Sequence, residues 1–331
     1  MNYLDVSDIS FDDVLVSRYD LAIFACGYEE RSIYFPGLLA SDNFEKMIVL
    51  GFSTSQNDDA YKLNQGFYKT KYKIVPSQMD HYDLGKIFSI LSDECEHIRA
   101  KSKSEVRFLV DYSSMPRLWY SEVLNFIKCF DFQVPVSVDF AYSVGEHSAS
   151  RYDKQLSEPV VLPGCEAISA YNRETIGLFS LGFSEGGPIC LHRKIEPDRS
   201  FSLIARPGAL EDYTEKALTI NKFFLDNFSQ GTVYSPLNSV QQCYETIREV
   251  FYPFRESAVA VIVPFGPKPH ALASIIAAMN FPEVTCLYSS LGSTGGQVKP
   301  TTELVLSRVK KILDERLDTS ENLDNRSLVV H

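Results

Sequence analysis

Short apolar runs rich in β-branched and aromatic residues alternate along this chain with longer stretches whose apolar positions recur every three or four residues. The short runs read as strands covered on both faces, the longer ones as helices with one buried stripe. Strands are predicted at 20–25, 47–52, 72–75, 106–110 and 134–142, and again at 175–181, 202–205, 231–234, 258–263 and 284–288. Helices are predicted around 58–69, 82–100, 210–228 and 240–255, and after the proline-bearing turns at Pro116 and Pro267. In the 82–100 stretch, Leu84, Ile87, Phe88 and Leu91 fall on one stripe. A terminal helix is predicted over 301–317, with Val305, Val309 and Ile312 on one side. Strands alternating with helices predict an α/β fold of mainly parallel sheets with right-handed crossovers.

The two sets of five strands carry similar landmarks in the same order. The first strand ends in Cys26-Gly-Tyr-Glu-Glu-Arg-Ser32, and its counterpart in Gly182-Phe-Ser-Glu-Gly-Gly-Pro188. Gly27 lies 84 positions before Asp111, and Gly182 lies 82 before Pro264, which aligns with Asp111. Such spacing predicts two tandem Rossmann-like units related by internal duplication. The first unit is assigned to 1–150 and a linker, marked by Pro159, Pro163 and Gly164, to 151–174. The second unit, with the C-terminal helix, is assigned to 175–316, and the polar tail 317–331 is expected to be flexible.

Net charge changes the choice of partner. With 32 basic and 43 acidic residues the chain carries −11, and no concentrated basic run offers a face for long nucleic acid. A small anion held by a few local donors is compatible with that balance. The seven cysteines are odd in number and contain no CxxC, which fits reduced, buried thiols in the cytoplasm. The six histidines show no zinc-ligand spacing, so no metal is expected. The acidic, interrupted N-terminus does not read as a signal peptide, and no apolar run approaches the 18 or so residues of a membrane span.

Candidate chemistry sits at the ends of strands, where open α/β sheets bind ligands. The strand ending at Asp111 runs into Ser113, Ser114, Met115, Pro116 and Arg117. Pro116 suits a first helical turn and the serines suit an N-cap, so hydroxyls, free amides and Arg117 together describe an anion site. The same residues also read as a self-contained turn in which Arg117 pairs with Asp111. In the second half Gly266, Lys268 and His270 occupy the matching turn; Gly266 permits close approach, and the other two are donors. After the first strand, Gly27 permits a tight turn, Tyr28 offers a ring for a base, and Arg31 a phosphate contact. Glu29, Glu30 and Asp111 are the acid/base candidates if the chain is an enzyme. Cys26 has no basic partner in sequence and reads as a buried thiol rather than a nucleophile. Tyr142 opens a loop predicted to line the same edge. Neither GxGxxG nor GxxxxGK[ST] is present, so no dinucleotide or Walker-type site, and no cofactor, is expected.

The turn Asp111-Tyr-Ser-Ser-Met-Pro-Arg117 resembles the ligand-binding motif of CARF domains, the Rossmann-fold sensors of cyclic oligonucleotides in CRISPR systems. Gly266-Pro-Lys268 resembles the Gly-x-Lys form of that motif, and the tandem layout over about 18–296 is similar to SAVED domains of anti-phage signalling. Two departures stand out: Pro264 replaces the acid in the second half, and Met115 stands where a glycine is common. The resemblance implies a nucleotide-sensing component of a prokaryotic defence system that acts through a separate effector or partner protein, or else a stand-alone enzyme that degrades the signal. Three functions therefore stand at this point. The first is a nucleotide sensor whose ligand, spanning the two halves, biases their orientation. The second is an enzyme cleaving a glycosidic or phosphodiester bond of a nucleotide or nucleoside, and the third a protein-binding scaffold with a decayed pocket.

Overall fold

A computed structural model of the chain describes residues 3–101, 103–147, 151–168, 173–294 and 298–312. In chain order the first sheet's elements are β1 (Tyr3–Asp8), α1 (Phe11–Val16), β2 (Tyr19–Cys26), α2 (Tyr34–Leu38), β3 (Phe44–Phe52), α3 (Asp59–Lys71), β4 (Ser77–Met79), α4 (Leu84–Arg99), β5 (Val106–Asp111), α5 (Arg117–Cys129) and β6 (Val136–His147). After β7 (Arg151–Leu156) and β8 (Val160–Val161) come β9 (Glu174–Leu181), α6 (Gly186–Ile195), β10 (Arg199–Ala205), α7 (Tyr213–Ile220), α8 (Lys222–Asn227), β11 (Thr232–Ser235) and α9 (Val240–Phe251). The chain closes with β12 (Ala258–Pro264), α10 (Lys268–Asn280), β13 (Val284–Tyr288), β14 (Leu291–Thr294) and β15 (Val298–Ile312).

The fold is α/β, with two mainly parallel sheets. One has the order β1-β15-β6-β5-β2-β3-β4, the other β11-β10-β9-β12-β13-β8. Numbering only the parallel-paired strands along the chain gives the order 3-2-1-4-5 in each; the first sheet adds β15, antiparallel to β6, and then β1, antiparallel to β15, and the second adds antiparallel β8. Each sheet thus reverses its winding between its first and fourth parallel strands, β2/β5 and β9/β12, which is where a crevice opens at the carboxyl edge.

Local chemistry explains the helix starts. Asp58, Asp83 and Ser239 accept from the backbone amides of Tyr61, Lys86 and Gln242, satisfying donors the helices themselves leave open. Ser10 and Asp13 form a reciprocal capping box at α1. Neither α5 nor α10 has a side-chain cap, and each begins immediately after a proline in extended backbone, Pro116 and Pro267. Pro116 is therefore the N-cap itself, and Ser113 and Ser114 cap nothing.

One apolar cluster runs through both sheets, including Phe108 and Trp119 of the first unit and Ile176 and Ile275 of the second. There α5 packs on α10, both helices burying most of their residues, and α10 has the nearly all-round apolar sequence that such burial requires. Polar contacts lock the same boundary. Asp8 at the end of β1 accepts from Ser239 Oγ and from the amides of Val240 (3.1 Å) and Gln241 (3.3 Å), so the first sheet caps a helix of the second. The Asn280 side chain, ending α10, donates to Leu4 O and accepts from Leu4 N, both at 2.8 Å, covering the open edge of β1. Lys128 of α5 donates to Met279 O.

The structure corrects several expectations. Residues 301–312 are strand, not helix, and they return to the first sheet between β1 and β6 rather than completing the second unit. Val305 and Val309 share a face in a strand as they do in a helix; Leu306 joins a different cluster on the opposite face, which only a strand allows. The remainder of that predicted helix and the tail 317–331 lie outside the described residues. The third strand is Ser77–Met79, not 72–75, because Tyr72 closes α3 and Lys73 takes a left-handed φ of 60°. Residues 143–147 continue β6 instead of forming a loop, and the 151–174 linker contains β7 and β8. The 210–228 helix divides at Asn221, whose amide donates to Gly182 O and Ala217 O. No described helix is long and apolar enough to cross a membrane.

The register of β15 is pinned by Arg308, paired opposite Asp139. Its guanidinium forms a two-pronged contact with the buried Asp139 carboxylate at 2.7 and 2.8 Å, and Tyr19 OH donates to the same carboxylate at 2.7 Å. Removing the carboxylate leaves the buried Tyr19 hydroxyl and the partly buried Arg308 guanidinium without their acceptor. Asp139→Ala is expected to lower unfolding free energy by roughly 3 kcal/mol, read from urea denaturation. The pair Asp139→Leu with Arg308→Met is expected to lose less than the single change does.

Candidate functional site

The carboxyl edges of the two sheets face each other, and the turns after β5 and β12 meet there. In the first turn, Asp111 accepts from Ser113 N at 3.0 Å and Ser113 Oγ at 2.5 Å, while Ser113 Oγ accepts from Ser143 N at 2.8 Å. The carboxylate is 2% exposed. Arg117 does not pair with it. Instead Arg117 Nη2 donates to Gly266 O at 2.8 Å, and its guanidinium lies 5.2 Å from the centre of the Tyr288 ring. Lys268 answers in the other direction: Nζ donates to the carbonyls of Ser113 (2.6 Å), Met115 (2.8 Å) and Tyr112 (3.3 Å). The first residue of each equivalent helix thus holds the backbone of the opposite unit's turn.

Close approach in the second unit depends on two glycines. A Cβ on Gly182 would lie 2.7 Å from Phe265 O, and one on Gly266 would lie 2.1 Å from Ser180 Oγ. Without those side chains the loop after β9 folds directly against the turn after β12. In the first unit the equivalent loop is filled from within. Asn64 Nδ2 lies 2.9 Å from Gly27 O, 3.0 Å from Glu29 O and 3.0 Å from Ser32 Oγ, and Tyr68 OH donates to Ser32 O at 2.8 Å.

What remains open is a cavity of about 270 Å³ over the second sheet's switch point. From the first unit come Arg31, Arg117, Tyr142 and Gly145. The second unit supplies Leu181 to Ser184 after β9, Ala205, Gly208 and Ala209 around β10, Tyr213 and Ala217 of α7, Leu237, the Phe265–Lys268 turn, and Tyr288 and Ser289 after β13. Three cations line it and no carboxylate does. Glu29 offsets Arg31 from just outside the wall, so in a chain of net charge −11 the excess positive charge there is that of Arg117 and Lys268. The amino end of α10 adds the positive pole of its helix dipole.

Arg31 is 4% exposed, with Nε donating to Glu29 at 2.7 Å and Nη1 to Tyr142 OH at 3.0 Å. Burial alone would weaken its hold on the proton, but Glu29 and Tyr142 more than compensate and raise its pKa. Arg117 behaves likewise: desolvation acts against the charge, and Tyr288 and Tyr120 outweigh it. Its Nε is buried without a hydrogen-bond partner among the described residues. For Lys268, burial pulls the pKa well below the usual lysine value, and Arg31 and Arg117 pull the same way. Three carbonyl acceptors around Nζ match the three protons of an ammonium, so the contact itself favours the charged form.

Of the residues singled out in the sequence, Arg31, Arg117, Tyr142, Gly266 and Lys268 come together in the cavity wall. Gly27, Tyr28, Glu29, Glu30, Asp111, Ser113, Ser114 and His270 do not line it. Glu29 is held by Arg31, Glu30 is exposed at the start of a short 3₁₀ turn, and Tyr28 packs against the first unit's smaller core cluster. Ser114 sits against Gly27. His270 is fully buried with Nε2 3.2 Å from Pro236 O, and burial lowers its pKa to about 4. Burial pushes the Cys26 thiol up to about 12, as expected of an inert core cysteine. Sequence reading missed Phe183, Ser184, Gly208, Ala209, Tyr213 and Ser289. The alignment of Gly182 with Gly27 and the Pro207-Gly208 turn signal after β10 point to the first four of these, and Ser289 falls in the glycine- and hydroxyl-rich stretch from Tyr288 to Gly296 that follows the last strand; nothing comparable marks Tyr213. No group of three or more His, Cys, Asp or Glu side chains is placed to hold a metal among the described residues.

No protein-family model matches this sequence, and no curated protein matches it either.

Two outcomes follow from the turn chemistry. Lys268→Met leaves three carbonyls without their donor and is expected to cost about 2–3 kcal/mol of unfolding free energy in urea titrations. Burial raises the Asp111 pKa to about 6, against the opposing pull of Ser113, Lys268 and Arg31. The folded state therefore holds this proton more tightly than the unfolded chain. The Asp111 contribution to stability is expected to fall as pH rises from about 4 to about 6. Asp111→Asn, which keeps an acceptor for Ser113, is expected to flatten that part of the pH–stability profile; an unchanged profile would count against the shift.

Proposed function

We propose that this protein binds a small nucleotide in the cavity between its two units and acts as a nucleotide-sensing component of a prokaryotic anti-phage defence system, signalling to a separate effector or partner protein in the cytoplasm. The observation that carries the binding reading is a cavity at an α/β switch point lined by Arg31, Arg117 and Lys268 with no carboxylate in its wall. Aromatic side chains of Phe183, Tyr213, Phe265 and Tyr288 share that wall and suit a base. The defence setting rests on the resemblance of the two turns to CARF motifs. Internal duplication belongs to the same proposal, supported by the shared 3-2-1-4-5 strand order and by matching proline turns before α5 and α10.

Binding is favoured over cleavage for a specific reason. Glu29 is engaged by Arg31, Glu30 is exposed outside the cavity, and Asp111 is sealed beneath the turn, so none of the three acid/base candidates reaches a ligand there. The continuous core between the units also argues against a signal carried by their rotation, since large apolar interfaces resist relative motion. Local ordering of the cavity loops is the more economical route.

A thermal-shift screen against mononucleotides, NAD and cyclic di-, tri- and tetranucleotides, each mixture then run by mass spectrometry, tests this reading. Stabilisation of about 2.7 kcal/mol at a hundredfold excess over Kd, with the nucleotide recovered intact, is the expected outcome. Recovery of cleavage products would make the protein an enzyme, and no shift with any nucleotide would overturn the proposal.

A further inference from the structure

The cavity wall changes character from one side to the other, which gives its occupant a direction. It spans the ends of four adjacent strands, β10, β9, β12 and β13. Three inter-strand spacings make that roughly 14 Å. At the β10 and β9 side stand Ala209, Phe183 and Tyr213, the two rings meeting edge to face with centroids 5.0 Å apart, and Lys216 Nζ, outside the lining, lies 4.8 Å from the Phe183 ring centre. At the β12 and β13 side stands Arg117, against the Tyr288 ring, and Arg31 enters the wall from the first unit beside Tyr142 and Gly145. Lys268 lies there too, but its donors are directed to the carbonyls of the first turn, so it contributes field rather than contact.

We infer, on the nucleotide-binding reading above, that the occupant is a single nucleotide, with its phosphate at Arg31 and Arg117 and its base against Phe183 and Tyr213. Volume limits the size. About 270 Å³ lies just below the roughly 300–1,000 Å³ of pockets that enclose drug-sized ligands. One nucleotide is of that scale, whereas a ring of three or four carries three or four times the volume and as many phosphates. The two-ended wall also requires both parts of the ligand. A nucleoside leaves Arg117 Nε without an acceptor, and inorganic phosphate makes no contact with the aromatic end. The cyclic oligonucleotides implied by the resemblance are therefore not what this cavity encloses.

Calorimetric titration of the full chain with AMP, GMP, CMP and UMP, their nucleosides, and cyclic di- and tetra-adenylate separates the outcomes. At least one mononucleotide is expected to bind at one per chain, at least tenfold more tightly than its nucleoside, the scale of a charge-assisted contact. Arg117→Gln is expected to erase most of that ratio. Because Arg117 also holds the opposite turn, Ala209→Phe serves as the independent variant: it fills the apolar end and is expected to weaken the mononucleotide at least tenfold while the melting temperature is maintained. A cyclic oligonucleotide binding more tightly than every mononucleotide would overturn this inference and leave nucleotide binding standing. Failure of every nucleotide to bind would remove both.

Discussion

The architecture depends on a reciprocal contact between two helix starts. Arg117 opens α5 and donates to Gly266 O of the second unit; Lys268 opens α10 and donates to Tyr112, Ser113 and Met115 of the first. Both helices begin after a proline in near-identical extended backbone, with φ, ψ of −60°, 152° at Pro116 and −62°, 155° at Pro267. Equivalent geometry thus presents equivalent cations across the boundary. The chemistry on either side is not equivalent, and that difference decides where space is left. In the first unit, Asp111, Ser113, Asn64 and Tyr68 satisfy the strand-end backbone from within. In the second, Gly182 and Gly266 draw the loop and turn together and leave a cavity beside them. One switch point is consumed in building the wall of the other.

The packing beneath the contact explains why the arrangement holds. α10 is apolar on nearly all sides and α5 buries most of its length, so the two units pack them against each other in one continuous core. Asp8 caps α9 and Asn280 covers the edge of β1, so polar groups at the boundary find partners in the opposite unit. The return of β15 into the first sheet closes the chain over the boundary a further time. Together these features set the cavity's cations in fixed positions, a preorganised arrangement that lowers the entropy lost when a ligand binds.

Much of the fold was legible because it rests on local signals. The β-branched runs and the amphipathic stretches placed nine of the ten parallel strands and most helices, and the fourth-strand turns were read as sites from Asp111, Ser113, Ser114, Pro116 and Arg117 and from Gly266, Lys268 and His270, of which Arg117, Gly266 and Lys268 reach the cavity wall. The rest depended on tertiary context. Val305 and Val309, four apart, fit a helix and a strand equally, and only their neighbours across the sheet decide between them. Lys268 was legible as a donor, but its acceptors lie more than 150 positions away. Asp111 was legible as a carboxylate at a strand end; that Ser113 and the core would seal it was not. Tyr213 sits in the cavity wall because α7 folds over the end of β10, a placement no sequence spacing reports.

The two units form one body around the cavity they share, and the chain's one tryptophan offers a direct test of its cooperativity. Trp119 lies wholly in the first unit, fully buried, stacked on Phe52 at 4.6 Å with its Nε1 donating to His81 O at 3.0 Å. Equilibrium unfolding in urea, followed in parallel by Trp119 fluorescence and by far-ultraviolet circular dichroism of the whole chain, reports the first unit and both units in turn. Coincident transitions with one midpoint are the result expected of a shared core. A fluorescence transition separated from the dichroism transition would show that the units unfold independently and would contradict the account.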